Sequence, residues 1–159
     1  MEVDYNLLTD EAKVFVYPSS RKFYPQELDG LQQEIQGFLS ENFKDYNFHF
    51  KILNNRFLVF FIEGDKTIPI QLLDKLADFI LSLEQKYKVT LLDKINICFK
   101  QGEFIQYQDM KKFRTLLKNR SISENTVIFN NLVQNKYDFE NNFETPLSDS
   151  WLSHLVKKK

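Results

Sequence analysis

Hydrophobic positions along the chain switch between two spacings, alternate residues and steps of three or four, and each switch marks an element. Lys13 to Tyr17 (KVFVY) is β-branched and aromatic and runs into Pro18-Ser19-Ser20, which predicts a strand entering a turn. After Pro25, a residue suited to a first helical turn, Leu28, Leu31, Ile35, Phe38 and Leu39 recur on one helical face, with Gly37 a local weak point. In NFHFKIL, Asn47 to Leu53, Phe48, Phe50 and Ile52 alternate with His49 and Lys51, the pattern of a half-buried strand. Asn54-Asn55 tolerates positive φ and predicts a tight hairpin into RFLVFFIE, Arg56 to Glu63, whose two apolar faces call for a central position.

Beyond the loop EGDKT, Glu63 to Thr67, a second helix is predicted with Thr67 as cap and Pro69 in its first turn. Its core stripe is Leu73, Leu76, Ala77, Ile80, Leu83 and Tyr87, and it ends near Lys86 to Lys88, where cations suit a helix C-terminus. KINICFK, Lys94 to Lys100, sets Ile95, Ile97 and Phe99 against Asn96 and Cys98 as a half-covered strand, broken or bulged at Gln101-Gly102. Asp109 caps a third helix with Met110, Phe113, Leu116 and Leu117 on one side, ending near Asn119-Arg120. Thr126 to Val133 (TVIFNNLV) reads as a fifth strand, and Gln134 to Asn142 is too polar to assign. In the tail, residues 142–159, Ser148 caps a short helical turn that presents Trp151, Leu152 and Leu155, with Trp151 docking the tail on the body.

The first six elements run β-α-β-β-α-β, and an α-β pair follows. That order predicts one α+β domain over residues 1–159, a ferredoxin-like βαββαβ sandwich with an added C-terminal αβ extension; the alternative is another two-layer α+β sandwich.

Composition narrows the function classes. The net charge is −1, from 21 basic and 22 acidic residues that are interspersed, so the concentrated basic footprint of a nucleic-acid binder is missing. The one basic cluster, Lys157-Lys158-Lys159, reads as a solvated end. No apolar run approaches the roughly 20 residues that span a bilayer, so membrane insertion is not expected. A single cysteine and the acidic start MEVDY, without a leader-like segment, point to a cytoplasmic location. The 16 phenylalanines could form stacking platforms, but aromatics chiefly bury area, so most of them read as core material.

Candidate chemistry is sparse. EGDKT follows an apolar strand and precedes a helix, the setting of a phosphate-binding loop, but the glycines such a loop needs fall on Asp65 and Phe60. His49 and His154 have no cysteine or carboxylate at metal-ligand spacing, so neither a metal nor another cofactor is expected. Cys98 with His49 as base is the minimum nucleophile pair, set against an incidental packed cysteine. The remaining polar groups sit at strand ends: Tyr17, Ser19, Ser20 and Arg21 after the first strand, Lys100 and Gln101 with Glu103 around Gly102, and Asn130 and Asn131 after the fifth. Arg21 beside serine hydroxyls could hold a carboxylate or phosphate; turn chemistry is the competing account of the same residues.

VFVYPSSRKF, INICFKQGEF, TVIFNNLV and SDSWLSHL, in that order from about Val14 to Leu155, together resemble a family of short bacterial proteins often labelled "ABC transporter ATPase". The label implies nucleotide hydrolysis or association with such an ATPase. The chain has no Walker A motif, no apolar strand ending in an Asp-Glu pair and no LSGGQ-like signature, and the resemblance assigns it no catalytic residues. Two function classes are carried forward: a non-catalytic module that binds a protein partner or a second copy of itself through a sheet face or edge, and a domain that binds or acts on an anionic small molecule near Arg21 or Lys100. Millimolar Mg-ATP should leave the thermal midpoint unchanged relative to Mg-ADP and phosphate controls. A ligand at 100 times its Kd adds about 2.7 kcal/mol and several degrees, so an ATP-specific rise would overturn this reading of EGDKT.

Overall fold

The computed structural model describes residues 1–156, so the Lys157-Lys158-Lys159 cluster lies outside the described residues. Their order is β1 (Lys13–Pro18), α1 (Pro25–Asn42), β2 (Asn47–Leu53), β3 (Phe57–Glu63), α2 (Ile70–Tyr87), β4 (Ile97–Gln101), β5 (Phe104–Gln108), α3 (Met110–Lys118), β6 (Val127–Phe129), α4 (Lys136–Asn142) and β7 (Glu144–Pro146). The fold is α+β, with two antiparallel sheets ordered β1-β3-β2 and β5-β4-β6-β7.

Local chemistry accounts for the first sheet. Pro25 opens α1, and the Glu27 carboxylate turns back to accept the Tyr24 N–H at 2.8 Å, the acidic half of a capping box. Asn54 and Asn55 both take positive φ, 55° and 54°, and the Arg56 N–H donates to the Leu53 carbonyl to close the β2–β3 turn. In β3, residues Phe57 to Ile62 are all buried. Leu58, Phe60 and Ile62 face α1 and α2 through Leu31, Ile35, Leu39, Leu76, Ile80 and Leu83. Phe57, Val59 and Phe61 face the other way, onto Cys98, Phe129 and Phe143. The period-two strand thus splits its side chains between two cores.

The second sheet repeats the plan. Its inner face gives Cys98, Ile105, Tyr107 and Phe129 to the core shared with β1 and β3. Its outer face gives Ile97, Phe99 and Ile128 to a third cluster with Phe113 of α3 and with Leu147 and Leu152 of the tail. Each sheet is therefore clad on its outer face, and the two inner faces meet.

The first three strands have the order and directions of a split βαβ, but the four-stranded ferredoxin-like sheet does not form. The strand that would lie beside β1 is β4, which pairs with β5 and β6 instead. Several expectations change with it. The strand begins at Ile97, Ile95 stays 80% exposed, and the Cys98 face is buried against the first sheet, so β4 is covered on both sides. Gln101-Gly102 does not end the sheet; Gly102, at φ +64, turns the chain into β5, a strand of only partly covered residues. Pro69 sits at the α2 N-cap and Thr67 makes no cap bond, while Ala77 is exposed and Leu72 and Phe79 pack in its place. Asp109 does cap α3, accepting the Lys112 N–H at 2.7 Å.

The polar stretch left unassigned contains α4, capped by Asn135, which accepts the Asp138 N–H at 2.7 Å. In the tail, Ser148 makes no cap bond; Ser150 donates to the Leu147 carbonyl and accepts the Leu152 N–H. Leu147 and Leu152 dock the tail, and Trp151, between these buried neighbours, remains 41% exposed.

Gly64 follows β3 where the Tyr46 ring crosses the chain. A Cβ there would lie 2.5 Å from Tyr46 Cδ2, and that ring is packed edge-on against Phe43. Gly64→Ala should cost about 1–3 kcal/mol in denaturant melts, as overpacking does, and Gly37→Ala, where nothing lies within 4 Å, should stabilise or leave the protein unchanged.

Candidate functional site

The strand-end residues singled out in the sequence do not converge. Tyr17 is a buried core ring edge-on to Phe60, and burial holds its hydroxyl protonated far above the usual phenol range. Ser19 is fully buried, its N–H donating to the Arg56 carbonyl. Ser20 brackets Thr90: its N–H donates to the Thr90 carbonyl and its hydroxyl accepts the Thr90 N–H at 3.0 Å.

Arg21 is committed inside the chain. It grips Glu27 with both terminal nitrogens, at 3.1 and 3.3 Å, donates to the Lys22 and Tyr87 carbonyls at 2.8 and 2.6 Å, and lies over the Tyr24 ring. The pairing lowers the Glu27 pKa and raises that of Arg21. A carboxylate or phosphate ligand would have to displace Glu27.

Lys100 is likewise paired, with Glu144 at 2.8 Å, and Gln101 reaches the Ser121 carbonyl only at 3.5 Å. Asn130 closes an Asx turn by accepting the Leu132 N–H at 2.9 Å, and Asn131 is buried. Turn chemistry and internal ion pairing account for most of this set, and no anion site is assembled from it.

The Cys98–His49 pair is not formed either. His49 Nδ1 lies 3.0 Å from the Val3 carbonyl and its ring leans on Tyr5 and Phe61. Cys98 is buried between the sheets beside Arg56, whose guanidinium donates to the Ile105 carbonyl at 3.1 Å. Burial pushes the thiol up to about 12 and outweighs the opposing pull of the Arg56 charge. Such a thiol is not a nucleophile at neutral pH.

EGDKT lines a cleft with Thr9, Glu11, Lys13 and Tyr46. The Glu63 carboxylate is held by the Thr9 N–H and hydroxyl, and Asp65 and Glu11 stand beside Lys66, so the lining carries acid and base together. Phosphate finds no cradle in it.

The concave feature that the fold itself creates is next to this loop, at the outer edge of β1. The β1–β3 register turns Lys13, Phe15, Tyr17 and Ser19 toward β3, with the Ser19 N–H on the Arg56 carbonyl, so the amides of Val14 and Val16 point away. Two of the four outward groups are taken: the Val14 N–H donates to the Gln134 carbonyl, and the Val16 carbonyl accepts Lys94 Nζ at 2.7 Å. The Val14 carbonyl and Val16 N–H lie between them with no bond to another described residue. Beside this window runs a largely apolar groove of about 430 Å³, lined by Val14, Phe15, Ile68 and Leu73 and by the polar Lys13, Thr67 and Gln134. Sequence reasoning missed Ile68 and Leu73 as surface features because both belong to the apolar pattern of α2 and its approach; they border a groove because β4 left the place beside β1.

Among the described residues no helix is long and apolar enough to cross a membrane. Comparison of the chain with protein-family models, with curated proteins and with solved structures finds no match.

The raised thiol pKa has a definite sign in stability. An unfolded thiol titrates near 9.0 and the folded one near 12, so the folded state holds the proton more tightly. Its contribution is complete below pH 9 and is lost as pH rises toward 12. Cys98→Ala should flatten the alkaline decline by up to about 1.4 kcal/mol per pH unit, one proton's worth, in urea melts taken across that range.

Proposed function

We propose that the protein is a non-catalytic interaction module that receives an extended segment of a partner protein along the outer edge of β1. The observation that carries this reading is the open window at Val14 and Val16 beside the apolar groove of Phe15, Ile68 and Leu73. An unpaired strand edge offers backbone groups that only another extended backbone satisfies in register, and a neighbouring groove supplies side-chain selectivity. The incoming segment takes the place of the fourth strand of a split βαβ sheet, antiparallel or parallel to β1, with one apolar side chain between Phe15 and Leu73. Lys94 lies at one end of the window and the Gln134–Lys136 backbone at the other, which limits the paired stretch to a few residues. The short window suits a transient contact better than a permanent subunit interface. The competing reading, an anionic small molecule at Arg21 or Lys100, is weakened because both side chains already hold carboxylates of the same chain.

An array of short extended peptides should yield binders whose amide perturbations in NMR centre on Val14 to Tyr17, Ile68 and Leu73. Leu73→Asp, which puts a charge in the groove, should weaken them at least about tenfold without unfolding the protein. N-methylation of the central peptide residue should do the same. Peptides that perturb only other surfaces, or bind Leu73→Asp unchanged, would remove the basis for this function, and a concentration-dependent dimer centred on β1 would replace the foreign partner by a second copy.

A further inference from the structure

A second concave site lies on the other sheet and does not share residues with the β1 groove. Asn130 and Leu132 after β6, Asp138 and Asn142 of α4, Thr145 of β7, and Asp149, Ser150 and Trp151 of the tail line a cleft of about 270 Å³. Its size is close to the lower end of small-molecule sites, roughly 300 Å³. Trp151, 41% exposed as a residue, is the sole tryptophan of the chain.

The polar groups around the cleft are partly spent on holding its shape. Asn142 donates its amide to Asp138 Oδ1 at 2.6 Å, Asn130 Oδ1 accepts the Leu132 N–H, and the Ser150 hydroxyl is used by Leu147 and Leu152. What is left over is mixed in kind. Asp138 Oδ2, the Asp149 carboxylate and the Asn142 carbonyl oxygen accept; the Asn130 amide donates; the Thr145 hydroxyl does either.

That inventory selects among ligand classes. No basic side chain lines the cleft and two carboxylates do, so an anion is repelled. An organic cation would use the carboxylates but offers no acceptor to the Asn130 amide. A neutral ring bearing several hydroxyls uses every group present: each hydroxyl donates to a carboxylate, the strong charge-assisted kind of bond, while accepting from Asn130 or Thr145, and the C–H face of the ring covers the indole. We propose that this cleft binds a neutral monosaccharide. Asp149 and Asp138 would hold adjacent hydroxyls, Asn130 would donate to one of them, and Trp151 would border the ring.

Trp151 makes the test direct, because its fluorescence is the protein's only indole signal. Glucose, galactose, mannose and N-acetylglucosamine should be titrated up to high millimolar concentration, with spermidine and calcium chloride as separate arms. Saturable binding of at least one sugar, weakened about tenfold or more by Asp149→Asn and by Asn130→Ala, is the expected result. Asp149 makes no side-chain bond within the described chain, so its variant should keep the wild-type melt and circular dichroism. For Trp151→Phe, saturation-transfer NMR replaces fluorescence and should show the sugar signal reduced. No saturable response to any sugar, a response confined to spermidine or to calcium, or sugar binding untouched by both variants would overturn the proposal.

Discussion

The whole structure depends on burying β3 on both faces. Phe57 to Ile62 offer six consecutive large apolar side chains, and a strand sends alternate residues to opposite sides, so no single layer can cover them. Leu58, Phe60 and Ile62 require the two helices; Phe57, Val59 and Phe61 require something else. The second sheet is that cover. β4 gives Cys98 to the face of β3 that helices leave bare, and this explains why it does not lie beside β1 and continue the first sheet. Fully burying side chains of this size is worth roughly 1.5–3 kcal/mol each, which outweighs the few hydrogen bonds that a fourth strand would add at the β1 edge.

Basic residues serve this arrangement from inside. Lys136 is buried, its ammonium bonded to the Tyr5 and Leu8 carbonyls and set against the Tyr5 ring, while the Tyr5 hydroxyl donates to Glu140. Lys51 sits over the same ring at 3.7 Å. The N-terminal segment is thereby tied to α4 and β2. Arg56 joins the β2–β3 turn to β5, and Arg21 joins the approach to α1 with the end of α2. A buried cation costs several kcal/mol unless carbonyls or carboxylates surround it, so these side chains satisfy backbone groups where loops cross between layers. Arg21, Arg56, Lys94 and Lys136 are therefore spent on backbone carbonyls inside the fold.

Much of the fold was legible because local chemistry and tertiary demand agree. Pro25 with Glu27, the Asn54-Asn55 turn and Asp109 each act at their own position, and the stripes of α1 and of Leu76, Ile80, Leu83 and Tyr87 follow one period. Where signals were weak, the reading failed for physical reasons. β5 alternates Phe104, 70% exposed, with Ile105 and Tyr107, and its strand character comes from pairing with β4. The buried face of α4 is a lysine and a half-buried phenylalanine, a face that hydropathy does not register. Trp151 looked like an anchor because indoles bury large areas, yet Leu147 and Leu152 carry the docking.

The sequence by itself determined the α+β class, the central place of β3, most element positions and the absence of a phosphate-loop pattern in EGDKT, since each rests on the nature and spacing of neighbouring residues. Tertiary structure alone decided that β4 founds a second sheet, that the edge of β1 is left partly open, and that Asn130, Asp138, Asp149 and Trp151 border one cleft. Those outcomes depend on which layer covers the second face of β3, a competition among residues far apart in the chain that no local pattern encodes.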